Sequence, residues 1–256
     1  YNLSATDTFD LEGYRLNGLD FTFGAGSFIA PASYVVVAGS LPGYGSAYSN
    51  AEVVVGEFSG TLDNGGETIS LLMPQGTNSW IVLDKVSYDD DPPWPAAADG
   101  AGPSLQLIDV TRDNNRVGNW AVDLSVLHTP GYANSVAASL PEFPDVWINE
   151  IMPINTMTRM DNMSEYEPWI ELFNGGSNEV NLNAANYYLT DTAGDLTKWA
   201  FPSGWVITNG NYLLVWADDE TAETVAGYLH AGFVMNSQSG MVALVTKPGA
   251  DPIIVD

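Results

Sequence analysis

The chain has 256 residues, 45% of them hydrophobic, which is enough for one large domain or two modest ones, each able to bury a core. Only 7 Lys and Arg stand against 32 Asp and Glu, and the resulting formal net charge of −25 excludes nucleic acid and anionic membranes as main partners, because both require clustered basic residues. Cysteine is absent, which excludes disulfide frameworks, thiol chemistry and metal–thiolate centres.

Short β-branched and aromatic runs, bounded by Gly, Asn, Asp and Pro, recur along the chain, and helical periodicity is scarce. In chain order, strands are predicted at residues 34–38, 53–58, 68–72, 80–86 and 104–108. They follow again at 146–152, 169–173, 187–190, 199–201, 212–216, 241–246 and 253–255. Asp63-Asn64-Gly65-Gly66 and Asn209-Gly210 are turn signals, residues 41–50 read as an irregular loop, and one helix is expected near 218–226. Strands this short and this regularly spaced predict an all-β chain built of β-sandwiches. Charged residues make up only 15% of the chain beside 8 Trp, 12 Tyr and 9 Phe, which is the composition of a folded protein. Its acidic surface attracts divalent cations and suits an extracellular setting. No apolar run reaches the ~18 residues of a membrane span, so no membrane insertion is expected.

Displaced by about 171–178 positions, the chain matches itself. Tyr1-Asn2 falls on Phe173-Asn174, Leu11 on Leu182, Phe21-Thr22-Phe23 on Trp199-Ala200-Phe201, residues 33–38 on 211–216, Phe58 on Phe233, and 81–84 on 253–256. Two copies are therefore expected in tandem, at 1–134 and 146–256, joined by a linker over 135–145 that carries Pro141 and Pro144. The second copy opens with two strands that the first lacks, and the first continues through 85–134, which the second lacks. The expectation is a window on a longer chain. The open sheet edge of the first copy would be covered by flanking domains or by neighbouring subunits.

The run Trp147-Ile148-Asn149-Glu150-Ile151-Met152-Pro153 is followed by Trp169-Ile170-Glu171-Leu172-Phe173-Asn174, Leu182, Tyr188-Leu189-Thr190-Asp191, Trp199-Ala200-Phe201-Pro202 and Gly210-Asn211-Tyr212-Leu213. In order and spacing this resembles the bacterial lamin tail domain family. The first copy resembles it from Tyr1-Asn2 onward, and its Asn119-Trp120-Ala121 and Thr129-Pro130-Gly131-Tyr132-Ala133-Asn134 are similar to the way many bacterial members end. The resemblance implies two tandem immunoglobulin-like β-sandwiches. It also implies a non-catalytic structural or adhesive module of a longer secreted or cell-surface bacterial protein. The alternatives are a subunit of an extracellular filament or matrix assembled by β-strand complementation, and an accessory polysaccharide- or protein-binding module of a secreted hydrolase.

Chemistry-bearing residues are few. The two histidines, His128 and His230, fall in different copies, and no phosphate loop or zinc-protease or serine-hydrolase motif occurs, so no catalytic residue is expected. Glu150 and Glu171 lie on neighbouring strands as paired acids would, but both belong to the lamin-tail pattern and are expected to accept hydrogen bonds from turn amides. Two acidic loops group hard oxygen ligands suited to calcium: Asp89, Asp90 and Asp91, with Asp84 and Asp109 as additions, and Asp161, Glu165 and Glu167 beside Asn162. Trp94, set among prolines, and Tyr44 and Tyr48 in the 41–50 loop are candidate ligand-binding aromatics for a polysaccharide or a surface protein.

Overall fold

The computed structural model describes residues 1–238 and 240–256, which form short strands in several sheets and one α-helix. Two units separate, Tyr1–Asn115 with Asn119–Pro141, and Arg116–Gly118 with Glu142–Asp256.

Unit 1 carries β1 (Phe9–Asp10), β2 (Arg15–Asn17), β3 (Phe21–Thr22), β4 (Phe28–Ile29), β5 (Val36–Ala38), α1 (Leu41–Ala47), β6 (Val54–Glu57), β7 (Glu67–Pro74), β8 (Trp80–Tyr88), β9 (Gln106–Leu107) and β10 (Trp120–Ala121). Its largest sheet has the antiparallel order β3-β2-β7-β8. β1 pairs with β4, β9 with β10, and β5 runs parallel to β6.

Helix α1 lies where the sequence reads as irregular. Ser40 caps it, its Oγ accepting from the Gly43 amide at 3.1 Å, and Pro42 sits in the first turn, where its missing N–H leaves no bond unmade. Buried Tyr44 anchors it, donating from its hydroxyl to Asn50 Oδ1 at 3.1 Å. These local contacts outweigh the poor helix propensity of Gly43 and Gly45.

Unit 2 carries β11 (Val146–Met152), β12 (Trp169–Asn174), β13 (Val180–Asn181), β14 (Tyr187–Thr190), β15 (Trp199–Ala200), β16 (Val206–Ile207), β17 (Tyr212–Trp216), β18 (Leu229–His230), β19 (Ala243–Thr246) and β20 (Ile253–Ile254). One four-stranded sheet has the order β11-β12-β17-β18, with β17 and β18 parallel, a second has β15-β14-β19-β20, and β13 pairs with β16. Alternation places Ile170 and Leu172 of β12 and Val215 of β17 on one inner face, where they join Leu189, Leu244 and Val255 in a single apolar cluster. The expected helix over 218–226 reduces to one 3₁₀ turn at Thr221–Glu223. Asp218 is bridged to Val234, and Asp219 stands at φ 66°, outside helical space.

Strand pairing recurs from unit to unit. β1–β4 corresponds to β13–β16, β3-β2-β7-β8 to β15-β14-β19-β20, and the parallel β5–β6 to β17–β18. A buried asparagine recurs too. The amide N–H of Asn174 donates to Asn211 O at 3.0 Å, and its side chain donates to Ile207 O at 2.8 Å and accepts from Gly176 N at 3.0 Å. Asn2 does the same with Ser33 O at 2.9 Å, Ile29 O at 3.4 Å and Ser4 N at 2.9 Å. One side chain thereby closes a turn and satisfies a carbonyl in the core, which an apolar residue could not do. The units differ at one edge. β17 lies between β12 and β18, whereas among the described residues β5 pairs with β6 alone.

Candidate functional site

The densest group of ligating side chains lies in unit 2, where three segments meet. The β11–β12 connection supplies Asp161, Asn162, Glu165 and Glu167. The segment after β17 supplies Asp218, Glu220 and Glu223, and β18 ends at His230. The parallel register that sets Trp216 opposite His230 brings the second and third segments together.

Asp161 is 6% exposed. Its Oδ1 accepts from the amides of Met163 and Glu165, each at 2.9 Å, so the loop folds around one carboxylate oxygen and fixes the direction of the other. That other oxygen, Oδ2, is buried and has no hydrogen-bond partner, and the same holds for Glu223 Oε2. Ligating atoms of Asp161, Glu223 and His230 lie within 4.8 Å of one another, as do those of Glu165, Glu220 and Glu223.

His230, fully buried, braces the group. Its Nδ1 lies 2.7 Å from Asp218 Oδ2 and its Nε2 2.9 Å from Asn162 Oδ1, while Asn162 Nδ2 donates to Glu223 O at 3.1 Å. The ring also stacks on Trp216, with centroids 6.4 Å apart. Both ring nitrogens are engaged with oxygens, which suits a positioning role between the acidic segments. Burial pushes the Glu223 carboxyl up, reinforced by Glu220 and Asp161 and opposed by His230. Burial likewise raises Glu167, with Asp218, Glu220, Glu165 and Asp161 adding to it.

Of the sequence candidates, Asp161 and Glu165 enter these groups. Glu167 feels their charge without joining either one. Glu220, Glu223 and the His230 brace escaped the sequence reading. Their signal was the acidic run Asp218-Asp219-Glu220 ahead of Glu223, which the antiparallel pairing of β12 with β17, Trp169 opposite Trp216, brings to the 161–165 loop.

In unit 1, Asp89, Asp90 and Asp91 form a fully exposed cluster. Asp84 and Asp109 are occupied elsewhere: Asp84 accepts from Asn114 at 2.8 Å, and Asp109 accepts from Leu140 N and Thr111 N, each at 2.9 Å. Trp94 is half-buried, 6.1 Å from the ring of Trp120, and lines a groove of about 480 Å³ with Tyr88 and Leu105. Tyr44 is buried against Tyr48 at 4.6 Å, and Tyr48 meets His128 edge-on at 5.1 Å, beside a groove of about 530 Å³ that also borders β5. Glu150 and Glu171 are direct cross-strand partners, but Glu171 accepts from the Asn149 side chain at 2.9 Å instead of from turn amides.

No helix among the described residues is long and apolar enough to cross a membrane. No curated protein and no solved structure matches the chain. Residues 141–255, nearly the whole of unit 2, match the model of the Lamin Tail Domain family, an immunoglobulin-like module without catalytic activity.

Proposed function

We propose that the chain is a structural or adhesive, non-catalytic module of a longer secreted or cell-surface bacterial protein, formed by two lamin-tail-type sandwiches in tandem. The observation that carries this reading is the strand pairing of unit 2, the unit that matches the family, repeated in unit 1 down to the buried asparagine. The acidic, lysine-poor surface supports an extracellular setting. The test is immunogold labelling of intact source cells with antibodies to the chain, together with hydrolase assays on the purified protein. Surface or matrix label without turnover is expected, and purely cytoplasmic label or clear turnover overturns the reading.

Polysaccharide targeting gains no support from the tryptophans, since none of the eight is exposed.

A further inference from the structure

We infer that unit 2 binds a calcium ion between the 161–165 loop and the turn at Thr221–Glu223, with Asp161 and Glu223 as inner ligands and Glu165 and Glu220 closing the solvent side. Four observations lead there. The first is the bare Asp161 Oδ2, which a carboxylate more than nine-tenths buried does not normally leave without a partner, because removing it from water is costly. The second is Glu223 Oε2, also buried and also without a hydrogen bond.

Spacing is the third. Oxygens bound to one calcium at about 2.3–2.6 Å lie up to about 5 Å apart. The 4.8 Å limit that holds the ligating atoms of each group is compatible with oxygens sharing one ion. Charge is the fourth. Asp161, Glu165, Glu167, Asp218, Glu220 and Glu223 crowd one region, and among the described residues none of them is ion-paired to a Lys or Arg. Hard oxygen donors suit calcium better than a thiophilic or imidazole-seeking metal, and His230 is already committed to Asp218 and Asn162. Main-chain carbonyls and water would complete the six to eight ligands that calcium takes.

The test uses the full chain stripped of metal by chelation, at neutral pH. Calcium chloride is added while thermal unfolding is followed, and affinity is measured by terbium luminescence excited through tryptophan. Calcium is expected to raise the melting temperature, and chelator to reverse it. Asp161→Asn keeps an acceptor for the two loop amides but removes the charge, and Glu223→Gln removes the second inner ligand. Each is expected to lose affinity by ~10-fold or more. Exposed Glu220→Gln, a milder change, should weaken binding even if the other two variants fail to fold. The variant carrying Asp89→Asn, Asp90→Asn and Asp91→Asn should bind as the wild type does. An unfolding curve unmoved by millimolar calcium would overturn the proposal. So would an equal shift with magnesium, or full affinity in a folded Asp161→Asn or Glu223→Gln chain.

Discussion

At the scale of single residues, the carboxylates divide into those that the fold has satisfied and those that it has crowded. Asp109 is of the first kind. Hydrogen bonds from the Leu140 amide and from the Thr111 hydroxyl and amide hold its carboxyl below the ordinary carboxylate range, with a smaller contribution from Arg112. A depressed carboxyl stabilises the fold at every pH above the unfolded-chain value of roughly 3.9, and that contribution is lost as pH falls through the lower folded value. Asp109→Asn is therefore expected to lower the urea midpoint of unit 1 at neutral pH, with the difference from wild type closing in strong acid. Urea titrations at the two pH values check this, and a constant difference would remove the carboxylate from the account. Thr111 and Arg112 are sequence neighbours of Asp109, but the Leu140 amide could not be read from the sequence, because it lies far along the chain and a backbone amide leaves no trace in residue type. The Asp161 and Glu165 half of the acidic group was legible, since acidic residues crowd a single turn. The Glu220 and Glu223 half was not.

At the scale of elements, short β-branched and aromatic runs bounded by turn residues located most of the strands, and within β12 the alternate residues Ile170, Leu172 and Asn174 are buried while Glu171 and Phe173 are only partly so. Helix α1 escaped because its sequence, Leu-Pro-Gly-Tyr-Gly-Ser-Ala, has loop composition, and what holds it is the Ser40 cap and the seat of Tyr44. Glycine use in β6 was equally opaque. A Cβ on Gly56 would lie 2.5 and 2.7 Å from carbons of the Phe21 ring, which packs edge-on against Phe23 at 4.9 Å in the small core of unit 1. A ring held in that way cannot step aside as a flexible chain end would. Gly56→Ala is expected to destabilise unit 1 by about 1–3 kcal/mol, read as a shift in the denaturant midpoint at unchanged slope. A neutral result would show that the Phe21 ring moves freely.

At the scale of the whole molecule, the cores of the two units are unequal. Among the described residues, seventeen buried ones form the apolar cluster of unit 2 and four form that of unit 1, the rest of its cluster being only partly buried. Stability scales with apolar area removed from water, so two calorimetric transitions are expected, the lower one belonging to unit 1. Hydrogen exchange that releases β2 and β7 before β12 and β17 would assign it, and a single transition with uniform exchange would contradict it. The sequence by itself determined the all-β class, the positions of most strands and the two series of matching residues, because alternation and turn chemistry are local and survive in residue order. Only the tertiary structure decided that the acids of residues 161–165 and 218–223 face each other around His230. That depends on which strands pair across long stretches of chain, and the choice follows from burying a shared core, not from any local pattern.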